Sequence, residues 1–288
     1  MERWLHLRIG DTRLALETRR LPATMLADLA RRYTAFADAE TTAAIDAFRL
    51  TVCVRPGAPL LPWRADGVLP LRTRRIGRWV LCVTPGEVGC FDLAARRGRI
   101  TLRPHGNVEN CLRVLVGWEA AQRGGLLLHA SGVVRQHASS DTRQHASGNT
   151  RAAGAFVFFG PSGAGKSTVA RLSARWPVLS DDLVLIERTA AGYQACGVPF
   201  RGNEWTAPRL NVRAPLIGLL ALEQAPHHAR LPLSHGAGAA RLVAATPFVT
   251  TCPHGAAAVM GAALTLTAMT PVARLQFRKD DGFWEVLQ

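Results

Sequence analysis

Apolar and polar residues alternate over residues 3–17 on both sides of Gly10-Asp11, the pattern of a β-hairpin with a tight turn. Met25, Leu26, Leu29, Tyr33 and Phe36 then recur at helical spacing, which predicts an amphipathic helix over 24–38. Strand-like runs follow at 47–54, 78–83 and 89–93, the last pairing with 99–103 across Arg97-Gly98. Asn107 is placed to cap a helix reaching about residue 123, with Leu112, Leu115, Val116 and Ala120 on one face and Gly124-Gly125 ending it. This first part reads as a mixed α/β region without a chemical motif.

From Gly125 the pattern changes. Residues 126–134 form an apolar strand carrying one histidine, His129. An eight-residue near-repeat follows, Arg-Gln-His-Ala-Ser-Ser-Asp-Thr from 135 and Arg-Gln-His-Ala-Ser-Gly-Asn-Thr from 143. Polar and small, it has little apolar surface to bury and reads as a duplicated, mobile insertion over 135–151, with His137 and His145 solvated rather than metal-binding. An apolar strand at 155–159 leads into Gly160-Pro-Ser-Gly-Ala-Gly-Lys-Ser-Thr168 and a helix from Lys166 to about 175. The run 177–186 is a strand with Ser180, Asp181 and Asp182 at its middle. Beyond it, 216–222 reads as a strand, 237–249 and 255–269 as helices, the latter buried, and 272–277 as a closing strand. A turn at 279–282 precedes a short helix at 283–287.

With 288 residues, 48% apolar and 19% charged, the chain can bury a sizeable core, which excludes a disordered tail protein or a small disulfide-stapled scaffold. No run approaches the ~18–20 apolar residues of a membrane span, and the N-terminus lacks a signal-peptide core, so a cytoplasmic protein without membrane partners is expected. Six cysteines without a CxxC pair argue against structural zinc and against a disulfide framework. The net charge of +14 is carried almost wholly by arginine, since Lys166 and Lys279 are the only lysines. These arginines are scattered, with no aromatic-interleaved basic groove, which argues against nucleic acid as the principal partner. A basic surface still favours acidic partners. A homo-oligomer is compatible with this composition.

The segment Gly160, Pro161, Ser162, Gly163, Ala164, Gly165, Lys166, Ser167, Thr168 fits G-x-x-x-x-G-K-[ST] in full, between a strand and a helix, the context the motif requires. Its glycines let successive N–H groups converge on phosphate oxygens, and the helix N-terminus adds its positive end. Lys166 is placed to neutralise β- and γ-phosphates, and the Ser167 hydroxyl to hold Mg²⁺. The expected ligand is a nucleoside triphosphate. Two adjacent carboxylates within an apolar run are costly unless a cation, metal or histidine partners them. Asp181 follows Lys166 by only 15 residues, one helix and one turn. In common P-loop ATPases and GTPases the acidic strand comes much later.

On these residues the chain resembles the HPr kinase/phosphorylase group and its kinase relatives, which share a fold with PEP carboxykinase. The carriers are His129, Gly160–Thr168 and Asp181-Asp182. In HPr kinases the histidine precedes the P-loop lysine by about 21 residues; here the gap is 37, and removing the two eight-residue units restores 21. The wording Leu-His-Ala-Ser-Gly and Leu-Ser-Asp-Asp is similar to the diverged relatives found in gene clusters for lasso peptides. The likeness covers about residues 120–288 and implies an α/β HPr-kinase-like P-loop domain at 121–288; the mixed α/β domain at 1–120 does not resemble the N-terminal domain of true HPr kinases. It implies an ATP- and Mg²⁺-dependent kinase acting on a serine of a peptide or small protein, such as a lasso-type precursor. By resemblance Lys166 binds the phosphates, Ser167, Asp181 and Asp182 hold the metal, Asp182 accepts the hydroxyl proton, and His129 orients the pair. One departure stands out: Pro199 stands where HPr kinases carry a metal-binding glutamate, so that either Glu204 substitutes or the metal relies on Ser167 and Asp182, and the resemblance offers Arg201 as a group to approach the transferring phosphate. The motif of the phosphorylase back-reaction is not recognisable, which favours a one-way kinase. Two other readings fit the same residues, a small-molecule hydroxyl kinase and a nucleotide-gated switch without acceptor turnover.

Overall fold

The computed structural model describes residues 4–40, 46–67, 69–135, 154–200 and 210–287. The opening hairpin forms where alternation predicts it. β1 (Trp4–Ile9) and β2 (Thr12–Arg20) pair in register from Trp4–Glu17 to Ile9–Thr12. The helix that follows is shorter than its pattern. α1 (Ala23–Tyr33) gives way to a 3-10 turn at Thr34–Phe36, which buries Phe36 beside Leu29 and Tyr33. β3 (Phe48–Val54) lies parallel to β2 and to β7 (Arg97–Leu102), and the meander β4 (Arg72–Ile76), β5 (Trp79–Val83), β6 (Glu87–Asp92) completes a seven-stranded sheet in the order β1-β2-β3-β7-β6-β5-β4. The β6–β7 turn falls at 93–96, where Arg96 takes φ 47°, and not at Arg97-Gly98, whose residues belong to the strand.

α2 (Glu109–Gln122) packs on both sheets. Asn107 Oδ1 accepts from the Glu109 amide at 2.8 Å, as its position suggested. From β6, Glu87 accepts from Asn110 Nδ2 and the Cys111 amide, fixing the helix start to the first sheet. On its other side α2 meets β8 (Leu126–Arg135), α5 (Pro253–Met269) and β11 (Leu183–Thr189).

The second sheet closes on itself. The first half of β8 pairs with β11 and its second half with β9 (Gly154–Phe159). β11 pairs with β12 (Gly192–Cys196), β12 with the start of β13 (Arg213–Gln224), and the later part of β13 runs parallel to β9. These five strands form a ring in which β9 is bonded on both sides. β10 (Val178–Ser180) adds to β8, while β15 (Val272–Phe277) and then β14 (Ala229–Pro232) extend from β13. A large core unites the inner faces of both sheets with α2, and a smaller aromatic core packs Phe156 and Phe158 of β9 against Phe277, Phe283 and Trp284. The two sheets are also joined at the first hairpin, where Asp11 donates its amide to Glu187 at 2.6 Å and accepts from Arg213 at 2.6 Å.

Three further expectations are corrected. Residues 177–186 are not one strand: the ladder breaks between Ser180 and Leu183, because Ser180 Oγ accepts from the amides of Asp182 and Leu183, each at 3.2 Å, and turns the chain. The predicted helix over 237–249 is α4 (His235–Ala244), ending short of Pro247. α5 is buried along one face only, with Val259, Ala262, Ala263 and Leu266 inside and Met260 and Leu264 exposed. Among the described residues no helix is long and apolar enough to cross a membrane. Arg135 closes β8, and the rest of the 135–151 insertion, with His137 and His145, lies outside the described residues.

Candidate functional site

β9 ends at Phe159, and the glycine-rich loop leaves its tip towards α3 (Lys166–Leu172), a helix shorter than its pattern suggested. Gly165 takes φ +108°, and a Cβ there would stand 2.5 Å from the Phe277 ring, so the loop closes only with glycine at this position. Ala164 is buried in the small core beneath the loop. Lys166 folds back over the loop: its Nζ donates to the carbonyl oxygens of Gly160 at 2.9 Å and Pro161 at 3.0 Å. Burial holds its pKa below the usual lysine value, partly offset by the nearby charge of Asp182. From the end of β13, Gln224 Nε2 donates to the Gly163 carbonyl at 2.7 Å.

The acidic pair faces this loop from the bend between β10 and β11. His129 lies directly opposite Leu183 in the β8–β11 ladder, which sets its ring beside the preceding residue, Asp182. His129 Nδ1 stands 3.2 Å from Asp182 Oδ1. Arg113 of α2 stands 3.4 Å from Asp182 Oδ2 and 2.7 Å from Glu109 Oε1 one turn back on its own helix. Backbone bonds fix the frame, from the His129 amide to the Ala245 carbonyl at 2.7 Å and from the Ala130 amide to the Asp182 carbonyl at 3.0 Å. Burial acts to raise the Asp182 pKa, but the His129 hydrogen bond and the charges of Arg113, His129 and Lys166 outweigh it, and the net shift is downward. Asp182 is thus held as a carboxylate among cations. Asp181 beside it is buried.

These groups meet in one polar cavity of about 470 Å³. Ser162, Gly163, Gly165, Lys166, Ser167, Thr168 and Arg171 form one wall, and His129, Asp181 and Asp182 the other. Gly160 and Pro161 do not line it; they face a second cavity of about 380 Å³, which shares only His129 and Ser162 with the first. Arg201 and Glu204 lie outside the described residues. Among the described residues no group of three or more His, Cys, Asp or Glu forms a metal cage. The oxygen donors on its walls are the hydroxyls of Ser162, Ser167 and Thr168 and the carboxylates of Asp181 and Asp182. That set suits Mg²⁺, which takes one or two carboxylates and completes its shell from phosphate oxygens and water.

Arg113 is the site residue that sequence reasoning missed. Among 33 scattered arginines it carried no signal, and its position follows only from the packing of α2 on β8. Comparison with curated proteins gives no match. The model of one family, described as SynChlorMet cassette protein ScmC, matches residues 108–288. That span starts at α2, the helix that supplies Arg113, and includes the loop, both aspartates and His129. The chain therefore belongs to the ScmC family of SynChlorMet cassette proteins.

Proposed function

We propose that this protein is an ATP- and Mg²⁺-dependent kinase of the HPr-kinase-like kind, moving the γ-phosphate to a hydroxyl, a serine of a peptide or small protein. One observation carries the reading: three separate segments bring the Ser162–Thr168 part of a G-x-x-x-x-G-K-[ST] loop and a histidine-held carboxylate to opposite walls of one polar cavity. Phosphoryl transfer asks for positioning, charge neutralisation and a proton acceptor more than for covalent chemistry, and each has a residue here.

Loop amides and Lys166, once its ammonium turns from the Gly160 and Pro161 carbonyls, bind the β- and γ-phosphates. Ser167, Asp181 and Asp182 would hold Mg²⁺, which when bound would neutralise charge on the phosphate oxygens. Asp182 receives the acceptor proton as the acceptor O–P bond forms and the bond from the γ-phosphorus to the β-phosphate oxygen breaks, releasing ADP. His129 and Arg113 keep both oxygens of Asp182 in place.

The test incubates the protein with labelled ATP, Mg²⁺, and either serine peptides or pooled hydroxyl metabolites. Label is expected on peptides, and Lys166→Ala is expected to weaken nucleotide binding and abolish transfer. Label on metabolites alone would move the acceptor to small molecules. ATP binding with no acceptor-dependent ADP would make the protein a nucleotide-gated switch.

A further inference from the structure

The second cavity lies against the first half of the loop and the C-terminal end of α4. Its walls are apolar, from Phe159, Pro161, Ala221, Ala245 and Pro247, and Arg241 stands at its exposed rim. Its volume of about 380 Å³ is at the small end of ligand cavities, room for a large side chain and its neighbour. Among the described residues the Arg241 guanidinium makes no side-chain hydrogen bond or ion pair, and the carboxylate its charge acts on is Glu223, already held by Arg274 and Gln276.

The junction between the cavities decides what this one can hold. They share His129 and Ser162, and His129 is in contact with Asp182 at 3.2 Å. An acceptor oxygen must come within roughly 2.6–3.2 Å of Asp182 to lose its proton there. The phosphate-binding residues take one wall of the polar cavity, and the apolar cavity adjoins it at His129 and Ser162, beside Asp182, within reach of a residue next to the acceptor hydroxyl. An apolar wall with one guanidinium at its edge, whose hydrogen-bond donors are not taken up by a carboxylate, matches an apolar side chain followed by a carboxylate. The excess of positive charge on the whole chain favours the same partner.

We propose that the acidic–apolar neighbourhood of the target serine is read by this cavity. An aliphatic or aromatic side chain next to the serine fills it, and an aspartate or glutamate beyond pairs with Arg241. The inference rests on the kinase reading and names its substrate class.

The test presents arrayed serine peptides, with flanking residues varied, to the protein with labelled ATP and Mg²⁺. Wild type is expected to prefer apolar–acidic flanks over Gly–Lys flanks by about tenfold or more, and Arg241→Glu to shift that preference to Lys and Arg flanks. Ala244→Trp, at the cavity wall, is expected to raise KM for apolar-flanked peptides while affinity for a fluorescent ATP analogue stays within about twofold. Labelling without flank preference would overturn the proposal and leave the kinase reading standing. So would a loss of nucleotide affinity in Ala244→Trp, which would assign the cavity to the nucleoside. Absence of label on every peptide would overturn both.

Discussion

Asp182 is held between an imidazole and a guanidinium, and its value to the site depends on staying ionised there. If it accepts the acceptor proton, Asp182→Asn retains the size and the hydrogen bond but loses the basic oxygen. ATP affinity should then stay within a few-fold while transfer falls by roughly 10²–10⁴. A parallel loss of nucleotide binding, partly restored by raising Mg²⁺, would instead mark Asp182 as chiefly a metal ligand. Because its pKa is depressed on folding, Asp182 contributes stability above its unfolded value of about 3.9, lost as pH falls through the lower folded value. Arg113→Met removes one of the charges that depress it. The carboxyl resonance of Asp182, followed by NMR, should titrate at a higher pH in that variant. An unchanged titration would show that His129 and Lys166 set the charge state without Arg113.

At the scale of elements, two single-residue devices shape the loop and the bend. Gly165→Ala places a methyl group against Phe277 in a backbone conformation that side chains avoid, and should lower stability by about 1–3 kcal/mol, read as a fall in Tm of several degrees. An unchanged Tm would mean that the Phe277 ring is free to yield. The first hairpin, α2, β8, β9 and the loop were legible because alternation, helical spacing and an asparagine cap all act locally. β4 was not: Arg72, Arg74 and Arg75 erase the apolar alternation of a strand that sits at the sheet edge, where charge is tolerated. β12 and β14 are only five and four residues long, too short for a period to show. The bend at Ser180 was hidden for another reason. Its apolar flanks continue one run in sequence, and only the serine hydroxyl bonding two amides separates them into strands. Both aspartates were found; the turn that presents them was not.

On the scale of the whole molecule, the site draws on both halves. The first sheet holds α2 through Glu87, α2 carries Arg113, and Arg113 reaches Asp182, so a region without a chemical motif of its own helps to set the charge of the candidate base. The scattered arginines that looked featureless along the chain are sorted by folding into a few such placements. The ring of strands has its own consequence. β9, which ends in the loop, has a bonded neighbour on either side, β8 and β13. Its amides can meet deuterium only when the ring opens, so Ala155–Phe159 should be among the slowest exchanging segments of the protein. Residues 160–168 should exchange far faster and become protected on adding ATP with Mg²⁺, with β9 unaltered. Such a profile would mean that the fold readies one rim of the cavity before any ligand arrives, and that the ordering left to binding is confined to nine residues of loop and helix start.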